Sequence, residues 1–260
     1  MQTLLKIFVL LLLLLNHLQA QDGRFYLGFV SMQMDYREYD RSGVLVDSET
    51  SSYSDIVGYE LGYIVDFSSS HINFNFLYAS GDTKYTGSLL GSNLGYGSYI
   101  STTNNTVVDV SAIYGGTYTV TSVVDVLYGG GVGYSSWTRT LNVSQEEIYK
   151  WPYLEASLGM DFKIMKSLHL EGIVKYQKAI SPVMETNFGV DFDLGGTKVN
   201  VYEVSFFYEP ALNVELYVTW DYKKQTITAS DMVYINNTAY YEPDSTAKNQ
   251  YIKAGFLFHF

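Results

Sequence analysis

Residues 55–67 read Asp-Ile-Val-Gly-Tyr-Glu-Leu-Gly-Tyr-Ile-Val-Asp-Phe, a stretch with two opposed faces. One parity is Val57, Tyr59, Leu61, Tyr63, Val65 and Phe67; the other is Ile56, Gly58, Glu60, Gly62, Ile64 and Asp66. Successive side chains of a strand point to opposite sides. A period of two, with one apolar face and one small or charged face, therefore marks a β-strand. The same alternation returns over residues 72–78, 108–118, 124–134, 154–162, 168–176, 202–208, 212–222 and 252–260. An opening strand over 24–36 sets Tyr26, Val30, Met32, Met34 and Tyr36 against Ser31, Gln33 and Asp35, but its other parity begins with Phe25, Leu27 and Phe29. Which of its faces is the outer one stays open. Ten strands are expected.

The links between them alternate in length. Short ones fall at 68–70, 121–123, 164–167 and 209–211, and long polar ones at 37–54, 81–105, 138–150, 179–198 and 223–247. Tight turns on one side and long loops on the other are the pattern of a transmembrane up-and-down β-barrel. Strands of roughly 11 to 13 residues suffice to cross a bilayer at a tilt. An even strand count puts both chain ends on the periplasmic side. A soluble sandwich would alternate too, but its strands are shorter and its apolar parity faces another sheet. Here Tyr36, Tyr78, Tyr134, Trp151, Tyr176, Trp220 and Tyr222 fall near strand ends, where an interfacial girdle needs them. In lipid no open edge is tolerated, so the sheet must close on itself.

The other signals agree. Residues 1–20 read MQTLLKIFVLLLLLLNHLQA, with Lys6 before an apolar run over 7–15 and a small residue, Ala20, at the end. That is the layout of a cleaved secretory signal, with the mature barrel expected over 21–260. The run is far short of the roughly 20 residues that span a membrane as a helix. The 260 residues include 25 Tyr, 14 Phe, 3 Trp and 22 Gly, but no Cys, and their net charge is −11. That charge argues against a nucleic-acid binder, whose affinity rests on neutralised phosphates. The missing Cys removes disulfides, thiolate metal sites and cysteine nucleophiles together.

By these residues the chain resembles a Gram-negative outer-membrane β-barrel protein. Its last strand ends Tyr251-Ile252-Lys253-Ala254-Gly255-Phe256-Leu257-Phe258-His259-Phe260. Phe260, with Phe258 and Phe256 at alternate positions, is similar to the signal that the barrel-assembly machinery reads in that family. Residues 128–134, Tyr-Gly-Gly-Gly-Val-Gly-Tyr, are similar to the glycine-rich strand of small opacity-type barrels. Those usually have eight strands, so a count of ten departs from their pattern. The resemblance implies embedding in the lipid bilayer, assembly by that machinery, and an extracellular ligand as a candidate partner of the loops.

Candidate chemistry is sparse. The 129–133 glycine run lacks the Lys-Ser/Thr and the helix of a phosphate loop. Ten strands are similar to the omptin proteases, whose paired Asp and Asp–His couple lie near the extracellular rim. His71, His169 and His259 each fall beside a periplasmic turn or the C-terminus, so no enzyme, metal site or cofactor is expected. What the inward parity does hold is a polar network. It comprises Glu60, Asp109, Asp125, Glu155, Asp161, Glu171, Glu203, Glu215 and Asp221 with Lys163, Lys175 and Lys253, accompanied by Asp66 and Lys223. In a barrel of this size side chains nearly fill the interior, which favours a bracing network. The alternative is a narrow cation-preferring pore drawing on uncompensated carboxylates. A third role lies in the Ser-, Thr-, Asn- and Tyr-rich loops, such as 85–99 and 234–241, whose composition suits surface recognition.

Overall fold

The computed structural model describes residues 22–88, 95–142, 145–187, 189–211, 213–235 and 237–260. The expected signal segment, 1–20, lies outside them. The strand segments are β1 (Asp22–Tyr39), β2 (Leu45–Thr50), β3 (Ile56–Asp66), β4 (Ser70–Gly87), β5 (Tyr99–Thr121), β6 (Val124–Asn142) and β7 (Gln145–Met165). They continue as β8 (Leu168–Ala179), β9 (Val183–Thr186), β10 (Asp191–Ala211), β11 (Val214–Ser230), β12 (Val233–Ile235), β13 (Thr238–Tyr240) and β14 (Asp244–His259). Neighbours pair antiparallel, and β1 pairs β14 from Arg24↔His259 to Tyr39↔Asp244, which closes the sheet into a ring.

β2 and β3 together make one stave of that ring, both pairing β1 on one side and β4 on the other. β8 and β9 make another, between β7 and β10. With the β12–β13 hairpin standing apart, the barrel has ten staves. No helix among the described residues is long and apolar enough to cross a membrane.

The outward parity forms an apolar belt. Leu27, Phe29, Val57, Tyr59, Val132, Leu154, Leu158, Met160, Val174, Phe206, Val218, Ile252 and Phe256 are all exposed there, as a lipid-facing surface requires. Its extracellular edge is marked where the same parity turns from Tyr176, Tyr202, Trp220 and Ile252 to the exposed Lys178, Lys198, Lys224 and Lys248. Two aromatics expected in the girdle are not in it. Tyr36 and Trp151 are buried inside the barrel. β1 settles its open facing against its own hydropathy: Leu27 and Phe29 face out, while Val30, Met32, Met34 and Tyr36 face in. The cause is that the barrel interior from the level of Val30 upward is itself an apolar core, and Met34 and Tyr36 stand above the lipid belt.

The strands also run on through much of what reads as loop. The 138–150 link is almost entirely the β6–β7 hairpin, paired up to Asn142↔Gln145. In the 37–54 link, β2 pairs Asp47↔Glu38 and Thr50↔Asp35. Polar composition there reflects strands that stand in water outside the membrane, not irregular backbone.

Candidate functional site

The interior is divided into two unlike halves. In the extracellular half, Val30, Met32, Met34, Ile56, Ala79, Trp137, Tyr149, Trp151, Tyr153, Met184, Phe192 and Ile227 form one buried apolar cluster spanning the barrel. Gly133 of β6 opens room for it, since a Cβ there would collide with the Tyr153 ring. Between this core and the lower half lies a gap of about 10 Å³, bordered by Val107, Trp151 and Tyr251. That is at the lower limit for a single water.

Set into the core is a fully buried guanidinium. Arg139 Nη1 donates to Glu38 and to Glu147, each at 2.8 Å, and Nη2 donates to Glu49 at 2.8 Å. Asp47 stands 3.6 Å away, and the guanidinium lies over the Tyr36 ring at 4.4 Å. Glu49 also accepts from Thr83 at 2.7 Å and Asn105 at 3.0 Å, and Asn105 accepts in turn from Trp137 at 2.8 Å. Tyr149 donates to Glu242 from the last loop.

This cluster sits above the lipid belt, and its carboxylates have more negative charge than one guanidinium can balance. Burial, then the nearby Glu38, pushes Asp47 up to about 9. Burial also drives Glu147 up and Glu242 well above the carboxylate range. Glu49 goes the other way: burial opposes its charge, but Arg139 and the Thr83 and Asn105 bonds hold it low. The group therefore keeps protons at neutral pH. A buried ion pair of this kind costs desolvation and repays it only through such complete bonding.

The periplasmic half holds a cavity of about 490 Å³. Eleven of the twelve residues expected in the polar network line it; Lys163 sits at its mouth, with a side chain 44% exposed, 2.6 Å from Asp125. Lys175 pairs with Glu203 at 2.6 Å, and Lys253 with Asp221 at 2.7 Å and Glu60 at 3.4 Å. Asp109 accepts from Tyr153 at 2.8 Å with Lys223 3.9 Å away, and Glu155 accepts from Gln177 at 2.8 Å. Tyr217 donates to Glu60 at 2.8 Å. Asp66 lies outside the cavity, bound by Arg24 at 2.7 and 2.8 Å. Nine carboxylates against four Lys and Arg leave the cavity wall strongly negative.

The three described histidines are all in this half. His71 lines the cavity, while His169 and His259 converge on Glu215 at 2.7 and 3.4 Å. At the last strand, Phe256 faces lipid, its ring stacked on Phe258 at 6.3 Å, and Phe260 lies past the strand end, 74% exposed. The Phe260 N–H donates to Gly23 O at 2.9 Å.

Sequence reasoning missed the upper cluster because Glu38, Asp47, Glu49, Arg139, Glu147 and Glu242 all fall in links read as polar loops. A signal was present. Trp137, Arg139 and Leu141, and then Glu147, Tyr149, Trp151 and Tyr153, keep the strand period through the supposed loop.

A closed antiparallel ring of ten staves with an apolar outer belt is the fold of outer-membrane β-barrel proteins. No protein-family model matches the chain, and no curated protein does. Among solved structures it is similar to the outer membrane protease OmpT from Escherichia coli, with 15% identity, 92% of this chain and 96% of that one covered, and a TM-score of 0.54. It also overlaps the outer membrane protein OprG from Pseudomonas aeruginosa, with 10% identity, coverage of 92% and 95%, and a TM-score of 0.41. At 15% identity the likeness to OmpT is one of fold.

Proposed function

We propose that this protein is a closed outer-membrane barrel with a structural or surface-recognition, adhesin-like role, rather than an enzyme or a channel. The observation that supports this most is the packed extracellular half, where Tyr36, Trp137 and Tyr149 surround a fully bonded Arg139 within the apolar core. Such a core makes a rigid platform for what stands above it. That includes the β12–β13 hairpin with Met232 and Tyr234 exposed, and Arg41 stacked on Tyr241 at 4.8 Å. An omptin-like site would need a His among carboxylates at the rim. Among the described residues the buried carboxylates Glu38, Glu49 and Glu147 surround Arg139, and His71, His169 and His259 lie at the opposite end.

The test is binding to host-type cells by the purified barrel, with and without residues 232–241. Loss of binding on trimming supports recognition through this hairpin; equal binding by both proteins removes it. The second reading, a narrow cation-preferring pore, is favoured by the carboxylate excess of the lower cavity. Planar-bilayer recording separates the two. Silence at high salt leaves the closed platform, and steady cation-selective current replaces it with a pore. Insertion of the last strand by the barrel-assembly machinery through Phe256, Phe258 and Phe260 belongs to the same proposal. Replacing Phe260 with Ala should lower the yield of assembled barrel in cells.

A further inference from the structure

At the periplasmic end of the lumen, carboxylates on three adjacent strands face one another. Asp125 on β6 is in register with Asp161 on β7, and Asp161 is in register with Glu171 on β8. Like charges directly opposite across strands repel. Lys163 answers one oxygen of Asp125 at 2.6 Å, but Asp125 Oδ1, on a residue only 5% exposed, is buried without a hydrogen-bond partner.

His169 stands against this row. Its Nδ1 is 2.8 Å from Asp161 Oδ1 and 3.9 Å from Glu171 Oε1, and one ligand atom from each of Asp161, His169 and Glu171 lies within 4.8 Å of the other two. On its far side, His169 Nε2 is 2.7 Å from Glu215 Oε1, and Glu215 Oε2 is 3.4 Å from His259 Nε2. The imidazole is stacked on Phe207 at 4.6 Å and 13°. A histidine that gives its outer N–H to a carboxylate turns the lone pair of its other nitrogen inward, which is the arrangement that orients metal-binding imidazoles.

We propose that this end of the lumen binds a divalent transition ion of the zinc type, through His169 Nδ1, Asp161 and Glu171, with Glu215 as the supporting carboxylate. Mixed imidazole and carboxylate donors suit zinc, whereas calcium and magnesium take oxygen sets. Ligand bonds of 2.0–2.2 Å would place tetrahedral donor atoms about 3.4 Å apart, so side-chain adjustment closes the site. The fourth position faces the cavity, where the free oxygen of Asp125 and the excess of carboxylates favour a cation. On binding, the ion takes the place of any proton on His169 Nδ1, and that proton leaves to solvent.

The test uses the untagged mature barrel in detergent, with Zn²⁺ titrated by calorimetry and Co²⁺ followed by its visible absorption. The expected result is one equivalent of Zn²⁺, undisturbed by millimolar Ca²⁺ or Mg²⁺. Glu215→Gln should weaken it about 10- to 100-fold. His169→Gln should abolish it, while His71→Gln, in the same cavity but outside the cluster, should leave it unchanged. Should His169→Gln fail to fold, Glu171→Gln replaces it, because that carboxylate's one described ion-pair contact is the 3.9 Å approach of His169. No saturable uptake, uptake that survives loss of the ligands, or displacement by Ca²⁺ would overturn the site. The cluster would then be an imidazolium braced between carboxylates.

Discussion

The two halves of the lumen solve the same problem with different solvents. Both enclose more carboxylates than cations. In the lower half, a cavity of about 490 Å³ leaves Lys175, Lys253 and their partners within reach of water. In the upper half, Arg139 and Glu49 are at 0% exposure inside packed aromatics, and every charge must be met by protein or by a proton. The charge excess of this chain is tolerated by hydration below and by protonation above.

Removing the cation on each side should therefore have unequal effects. Arg139→Met strands several buried carboxylates and is expected to cost about 3–5 kcal/mol. Lys253→Met, beside water, should cost about 1.5–3 kcal/mol, the range for a hydrogen bond to a charged group. Urea midpoints read from heat-modifiable gel mobility compare them, and equal losses would erase the distinction between the halves. Trp151→Ala, which hollows the upper core, is expected to cost about 3–5 kcal/mol as well. Combined with Trp137→Ala, it should give the first measurable current in a planar bilayer.

Protonation in the upper half has its own readout. Asp47 holds its proton to about pH 9 when folded, against an ordinary value of 3.8. Its favourable contribution is thus complete in acid and is lost as pH rises toward 9. Asp47→Asn cannot ionise, so its thermal midpoint should match the wild type near pH 4 and exceed it by a widening margin toward pH 9. A constant offset at all pH values would place the proton elsewhere. The smallest effect is expected of Tyr217→Phe, which removes the 2.8 Å bond to Glu60 and should cost about 1 kcal/mol.

The barrel and its lower network were legible in the sequence because lipid on one side and charge on the other impose a strict period of two. Glu60, Asp161 and Lys253 could be placed inward from their parity alone. The rule that apolar parity faces out stops holding where the strands leave the membrane, and Met34, Tyr36 and Trp151 lie beyond that point. There the outside is water and the inside is a core, so hydropathy reverses its meaning along a single strand. The convergence of Asp161, Glu171 and Glu215 on His169 depended on cross-strand register, which periodicity does not encode. Nor did it show that Arg139 meets Glu38 and Glu49 from the far side of the sequence.

The closing seam between β1 and β14 joins Phe25 to Phe258 and Tyr36 to Ala247. Its partners are among the most distant in the chain, so this stave-to-stave contact is the last that synthesis allows. Every earlier hairpin can zip locally; the seam cannot begin until β14 exists. Until then two unpaired edges stay open, and open edges attract other chains. The interval between finishing β11 and seating β14 is thus the period of greatest exposure to aggregation. The pairing of the two end strands acts as a clock on assembly as well as a wall of the finished barrel.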